Sequence, residues 1–383
     1  MASPYFARGE YDQRLSAVRR EMAERDIDLL LLSAPENIFY LTGLDHWGYF
    51  APHLLMAPAE GEMTLVTRAM EKVTIANQVA NARFEGHGDH ETVADGFVRA
   101  LAASGRRPKC IGIEAWSAGL PHGLALVLQT HAFGAQWINA SGLVDDLRQV
   151  KSLAEQAYLR EAARISDAGA AAAIEAARAG ASERHIAAES ERAMIEAGGT
   201  FPGFGPFIRS TARLGEEHTS WSDTRLAHGD ALFLELTGCA ARYHAPLGRL
   251  IHIGRAPKEA YEMAAASQAA FEAVLGALRD GALARDVYAA WQAVVDRAGL
   301  AHYRRHHCGY LVGIGFPPSW TGGNKVTGLR HDSHTVIRTG MSFHVLSWLM
   351  GTGRGDFFIS NAVLLAESGA QVLTRTPAGV TIR

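Results

Sequence analysis

Apolar residues recur at helical spacing at Leu15, Val18 and Met22, with charges on the opposite side, which predicts a helix over residues 10–25. The run DIDLLLLSAP that follows is continuously apolar and reads as a buried strand ending at Pro35, with a loop after it. Residues 53–67 alternate as two strands joined by an Ala-Glu-Gly turn. A helix over 92–104, a short strand at 110–115 and a helix over 118–131 come next. Helices alternating with strands indicate an α/β layer domain, expected to close near 145–150.

The pattern then changes. Residues 151–200 are Ala-rich and helical, with interspersed charges. Strands are expected at 204–212 and over 230–253, introduced by a His-Gly-Asp turn at 228–230. Helices follow over 257–278 and 283–299, with Gly281 and Gly299 as stops, and strands over 306–316, 341–350 and 357–366. No solenoid repeat is present. The reading is therefore a mixed α/β (α+β) chain of two domains, residues 1–150 and 151–383.

Composition narrows the classes. The 383 residues carry 37 Lys+Arg against 40 Asp+Glu, a net charge of −3, so an electrostatic nucleic-acid footprint is not expected. No apolar stretch is long enough to span a membrane, and the polar N-terminal segment has no signal-peptide core. The three cysteines, Cys110, Cys239 and Cys308, form no C-x-x-C pair, which fits a reducing cytoplasm. Seventeen histidines, many late in the chain, raise the question of a metal.

The most informative residue is Glu235, set between Leu234 and Leu236 in an apolar strand. A carboxylate there is costly unless it is paired or has chemistry to perform. The plain alternative is a buried ion pair with Arg242 or Arg249.

The stretch 229–254 resembles the creatinase/aminopeptidase P (pita-bread) superfamily, and the resemblance extends along almost the whole chain. Its members most similar to this sequence are metal-free and ectoine-hydrolase-like. The supporting strings are APENIFYLTGLDHW (34–47), HTSW (218–221), ELTGCAARYHAPLGR (235–249), GYLVGIGFPPSW (309–320) and GMSFH (340–344). The resemblance implies a creatinase-like N-terminal domain and a pita-bread catalytic domain. It also implies five metal-ligand positions, which here hold Glu235, Pro246, Tyr310, Leu346 and Ser360. Four of the five lack a good donor for a divalent ion, so neither a metal nor any other cofactor is expected. His302, His306, His307, His331 and His334 then read as loop and surface residues.

The function this implies is metal-independent hydrolysis of a C–N bond, an amide or cyclic amidine, in a small polar molecule. Glu235 is the expected nucleophile or base, and His218, which matches the superfamily's catalytic His, the proton shuttle. Tyr243 and His244 are neighbours in a strand and point to opposite faces; His244 is favoured as the catalytic one and Tyr243 as packing or substrate support. Tyr310, Trp320, Phe343, His344, Trp47 and Ser360 are the candidate substrate-binding residues, one of Phe343 and His344 facing in. Each aromatic has ordinary core packing as its alternative. Two other functions stay open: a metal-dependent Xaa-Pro aminopeptidase, and a non-catalytic binding module on the same fold. Relatives imply a homodimer.

Overall fold

A computed structural model describes residues 5–132 and 134–383. It divides into two units, residues up to 148 with 322–325, and residues 149–321 with 326–383.

The first unit runs α1 (Arg8–Glu24), β1 (Leu29–Leu32), α2 (Pro35–Thr42), β2 (Leu54–Pro58), β3 (Met63–Arg68), α3 (Lys72–Gln78), β4 (Ala82–His87), α4 (Val93–Ser104), β5 (Cys110–Ile113), α5 (His122–His131), β6 (Gln136–Asn139) and α6 (Leu143–Leu147). Its six strands are ordered β4-β3-β2-β1-β5-β6, with β2 antiparallel to both of its neighbours and the remaining pairs parallel. Leu29, Leu31, Met56, Val66 and Phe97 are among the residues of its core. The loop expected after β1 is instead helical. Pro35 starts α2 and Gly43, at φ 75°, stops it. Glu36 to Thr42 are all buried, so no polar face marked the segment as a helix. The buried carboxylate of Glu114 accepts from the amides of Ser33 and Ala34 and from Asn37, and Asn324 bonds both Glu114 and Asp145. These bonds tie residues 322–325 into this unit.

The second unit opens with α7 (Leu153–Ala176) and α8 (Glu183–Glu196), then β7 (Phe207–Ser210), β8 (Ala231–Ala240) and β9 (Tyr243–His252). Next come α9 (Lys258–Ala277), α10 (Ala284–Val295), β10 (Gly309–Leu311), β11 (Ser342–Leu349), β12 (Phe357–Ala366), β13 (Gly369–Val372) and β14 (Thr381–Ile382). Only Gly309–Leu311 of the strand expected over 306–316 joins the ladder. The sheet order is β10-β11-β12-β9-β8-β7, with β13 added to β12 and β14 to β9.

Strand alternation sorts the side chains of this sheet. One face packs on helices. Leu232, Leu234, Leu236, Ala245 and Leu247 share a core with Ile165 and Ile186 of α7 and α8. Phe343, Val345, Ile359 and Val363 share another with Trp291 and Phe271 of α10 and α9. The opposite face carries Phe233, Glu235, Gly248, His344, Leu346, Phe358 and Ser360, and it is here that polar groups gather.

Helix α7 lies very close to the β8–β9 hairpin. Ser166 accepts a hydrogen bond from the Gly238 amide at 2.6 Å and donates to the Ala245 carbonyl at 2.6 Å. A Cβ on Gly238 would meet the Ala162 carbonyl oxygen at 2.4 Å and the Ser166 nitrogen at 2.7 Å. The hairpin turns through Ala241 and Arg242, both at positive φ (48° and 65°), a strained choice for residues with a Cβ. Arg242 is held there by a bond to the Phe201 carbonyl and by the Phe316 ring, 4.7 Å below its guanidinium.

Backbone atoms cannot yield as a side chain can. Gly238→Ala should therefore destabilise the protein by about 2 kcal/mol or more, read as a lowered midpoint in urea unfolding.

Candidate active site

The register aligns one residue from each of five adjacent strands. Phe207 lies opposite Glu235, Glu235 opposite Gly248, Gly248 opposite Ser360, and Ser360 opposite Leu346. Gly248 leaves room in this row. A Cβ there would meet the Phe358 ring at 2.2 Å and Ser360 Oγ at 2.8 Å.

Glu235 is 8% exposed, and its Oε1 is buried without a hydrogen-bond partner. Burial pushes its pKa up to about 8, against the opposing fields of Arg209 and Arg305. Neither Arg242 nor Arg249 pairs with it. Arg249 lies on the helix side of β9, bonded to Asn361 and to the carbonyls of Ser360 and Pro377.

Beside Glu235 runs a relay of hydrogen bonds. Trp320 Nε1 donates to Tyr310 Oη at 3.0 Å, Tyr310 Oη lies 2.8 Å from His344 Nδ1, and His344 Nε2 lies 2.7 Å from Ser360 Oγ. Trp320 can only donate, so the phenol proton is free to go to Nδ1, which leaves Nε2 protonated and facing Ser360. Glu235 Oε1 stands 3.7 Å from the same Nε2. Burial, reinforced by His307, holds the pKa of His344 well below the usual imidazole range, so the relay runs through a neutral ring.

An aromatic wall surrounds the relay. Phe204 packs on Trp320 with ring centres 4.0 Å apart, and Phe207 on Trp320 at 5.7 Å. Arg209, two residues beyond Phe207 on the same face, lies with its guanidinium 4.3 Å from the Phe233 ring centre. His307 stands edge-on to Tyr310 at 5.3 Å, with its Nδ1 unpartnered. Burial and the neighbouring cations hold its pKa down at about 3.

Residues 157–367 match metallopeptidase family M24, and residues 14–150 match the creatinase/prolidase N-terminal domain. The chain belongs to family M24. It is thereby a hydrolase of the creatinase/aminopeptidase P superfamily, with the pita-bread fold. The ectoine hydrolase of Halomonas elongata is 28% identical to it, matching 97% of each chain. The Xaa-Pro dipeptidase of Pyrococcus horikoshii is 24% identical over 95% of this chain and 97% of its own. The solved Xaa-Pro dipeptidase of Bacillus anthracis superposes with a TM-score of 0.84 at 21% identity, covering 97% of this chain and 100% of that one.

Family M24 implies a metal, and the five residues that the resemblance assigns to its ligand positions do not fit one. Glu235 is the single carboxylate. Pro246 and Leu346 have no donor atom, while Tyr310 and Ser360 are engaged with His344. Among the described residues no group of three or more His, Cys, Asp and Glu is arranged to hold an ion.

Of the residues singled out in the sequence, Glu235, Tyr310, Trp320, His344 and Ser360 come together. Others sit elsewhere or are otherwise engaged. Phe343 lies on the helix face in the apolar core, because alternation turns it away from His344. Tyr243 also faces the helices, donating to Glu155 at 2.7 Å and stacking on Tyr158. His244 shares the face of Glu235, but both its nitrogens meet backbone: Nε2 accepts from the Gly203 amide at 3.0 Å and Nδ1 lies 3.4 Å from the Gly313 carbonyl. Burial lowers its pKa to about 4, so it is a neutral clamp on the segment that packs against Trp320, where a Cβ on Gly203 would strike Ser319. Trp47 is exposed, in the first unit. His218 is exposed, at φ 53°, and edge-on to Phe207 at 5.7 Å. Its segment is pinned at both ends by Glu183 of α8, which accepts from Ser210 and Ser222.

Sequence reasoning passed over Arg209, Phe204, Phe207 and His307. Arg209 carried a weaker form of the signal at Glu235, a charge directly after the apolar strand residues Phe207 and Ile208, in the run FIRS. His307, read as a loop residue, is partly buried against Tyr310.

The raised pKa of Glu235 has a consequence for stability. Below about pH 4.5 the carboxyl is protonated in folded and unfolded chains alike, so its ionisation has no effect. Between about 4.5 and 8 only the unfolded chain ionises, and stability falls with rising pH; above about 8 the loss is complete. Glu235→Gln should therefore match the wild type near pH 4 and exceed it by a few kcal/mol near pH 9, measured by urea unfolding across pH.

Proposed function

We propose that this hydrolase cleaves a C–N bond in a small polar molecule, an amide or cyclic amidine of the kind an ectoine hydrolase takes, with Glu235 in place of metal chemistry. The observation that carries the reading is the buried, unpartnered carboxyl of Glu235 beside a neutral imidazole, in a row of residues that cannot assemble an ion's coordination shell. A carboxyl with a pKa near 8 is a much stronger base than an ordinary glutamate. A cationic amidine entering the site restores the charge partner that burial withholds, and so draws Glu235 toward its ionised form.

In the base route, Glu235 removes a proton from water as the water oxygen bonds to the amidine or amide carbon. The C–N bond then breaks, and the departing nitrogen takes a proton from His218. His218 suits this role because it stands at the Phe207 edge of the row, on a pinned but strained and exposed segment. In the nucleophilic route a Glu235 oxygen bonds to the carbon, the C–N bond breaks as the departing nitrogen takes a proton from His218, and water then cleaves the covalent species to free the acyl product and regenerate the Glu235 carboxyl. The routes differ in isotope pattern: a single turnover in labelled water places label in Glu235 only if the covalent species forms. The packed rings of Phe207 and Trp320 would border a delocalised cation bound beside Glu235.

Glu235→Gln should lower kcat by about a thousandfold or more, while EDTA leaves the wild-type rate unchanged. Because the ionised form of Glu235 is active, kcat/KM should rise with pH toward about 8, and because the departing nitrogen needs a proton donor the profile should turn down again at higher pH. Loss of activity in EDTA with recovery on added manganese, or full activity in Glu235→Gln, would overturn the reading and return attention to Xaa-Pro peptides.

A further inference from the structure

A second charged side chain on the sheet face of Glu235 acts on it only through its field and has no partner of its own within hydrogen-bonding distance. Arg209 is 2% exposed, yet its Nε and Nη1 are buried without a hydrogen-bond partner. The nearest carboxylate oxygen, on the half-exposed Glu217, stands 3.8 Å from Nη1, beyond hydrogen-bonding distance. No ion pair joins Arg209 to Glu235, although the field of each reaches the other. A guanidinium buried in this way is costly unless a partner completes it. Phe233 supports its flat face and leaves the N–H edges to meet a ligand. Either edge of a guanidinium holds a carboxylate through two parallel N–H···O bonds, which a lysine in its place could not do.

The site therefore presents two incomplete groups of opposite character on one sheet face: a carboxyl lacking a donor and a guanidinium lacking an acceptor. Phe207 and Arg209 alternate along β7 on the side of Glu235, so both groups address the same space from neighbouring strands. We propose that Arg209 is the anion anchor of this site, and that the substrate is a small zwitterion or carboxylated amide whose carboxylate binds Arg209 while its C–N group meets Glu235. This rests on the hydrolytic reading above and adds a substrate class and a specificity residue to it. Arg209 positions the substrate and takes no part in bond cleavage.

The test uses three probes on the full chain: ectoine, which bears a carboxylate, the carboxamide made from it, and acetate. Binding is followed by calorimetry and turnover by product release, for the wild type, Arg209→Gln and Glu217→Gln. The wild type should bind ectoine and acetate and discriminate against the carboxamide by roughly ten- to hundredfold. Arg209→Gln should lose that discrimination, raising KM for ectoine but not for the carboxamide, while the pH profile moves to higher pH for both because the field that favours ionised Glu235 is gone; Glu217→Gln should keep the discrimination. Carboxylate binding through Arg209 without cleavage of either compound would remove the hydrolytic reading and leave the anchor standing. Cleavage of ectoine with the same KM in Arg209→Gln would do the reverse. Failure of the wild type to bind any carboxylate, or a Glu217→Gln variant that reproduces Arg209→Gln, would overturn the anchor, the latter because Arg209 would then serve only to pair Glu217.

Discussion

An unpaired carboxyl on the buried face of a sheet is the constraint on which the rest of this site depends. Strand register fixes where Glu235 points, since a one-residue slip of β8 would send it into the helix-packed core and bring Leu234 or Leu236 into the site. The hairpin partner strand holds glycine at the adjacent position, so the space beside the carboxyl is shaped by Phe358 and Ser360. Solvent is largely kept away, and the two arginines that act on Glu235 do so through space. The result is a carboxyl that burial holds in its protonated form through the neutral range.

Around it, the protein invests in holding neutral groups still. His344 and His244 sit on the same sheet face, and burial deprives both of their charge, but they do different work. His344 is joined to side chains that surround the carboxyl. His244 is joined to backbone and keeps the Gly203 segment against Trp320, whose indole opens the relay. Glu183 plays a comparable part for the segment carrying His218. Burial pushes its pKa up, yet the bonds from Ser210 and Ser222 more than offset this and hold the carboxyl below its ordinary range. A satisfied buried carboxylate and an unsatisfied one thus occur in the same unit, and the contrast between them marks which is structural.

Much of this was readable from residue pattern. The alternation of helices and strands, the Ala-rich α7 and the apolar β8–β9 hairpin all carry strong local signals. Glu235 stood out because a charge in an apolar strand is rare. What escaped has identifiable causes. Helix α2 is buried on all sides, so it lacks a polar stripe. Edge strands β4 and β6 are half exposed and weakly patterned. The faces of Phe343 and His344, and of Tyr243 and His244, depend on sheet register, which alternation alone leaves two-fold ambiguous. His244 lies on the expected face, but its bonds to Gly203 and Gly313 join positions 41 and 69 residues away in the chain. Such pairings leave no trace in local sequence.

The apolar residues in the row also bear on how this chain could change over evolutionary time. A divalent centre would need donors at Pro246, Tyr310, Leu346 and Ser360 together with Glu235. Any one acidic replacement, made alone, would place a second uncompensated negative charge beside a carboxyl that already resists ionisation. Tyr310 or Ser360, if replaced, would also withdraw a partner from His344. Each intermediate would be less stable than either end point, so the present arrangement is a local optimum separated by a barrier from the metal-binding one. A path toward an ion site at these positions therefore runs through less stable sequences, whereas changes among the residues that surround Glu235 alter which molecule fits there without that penalty.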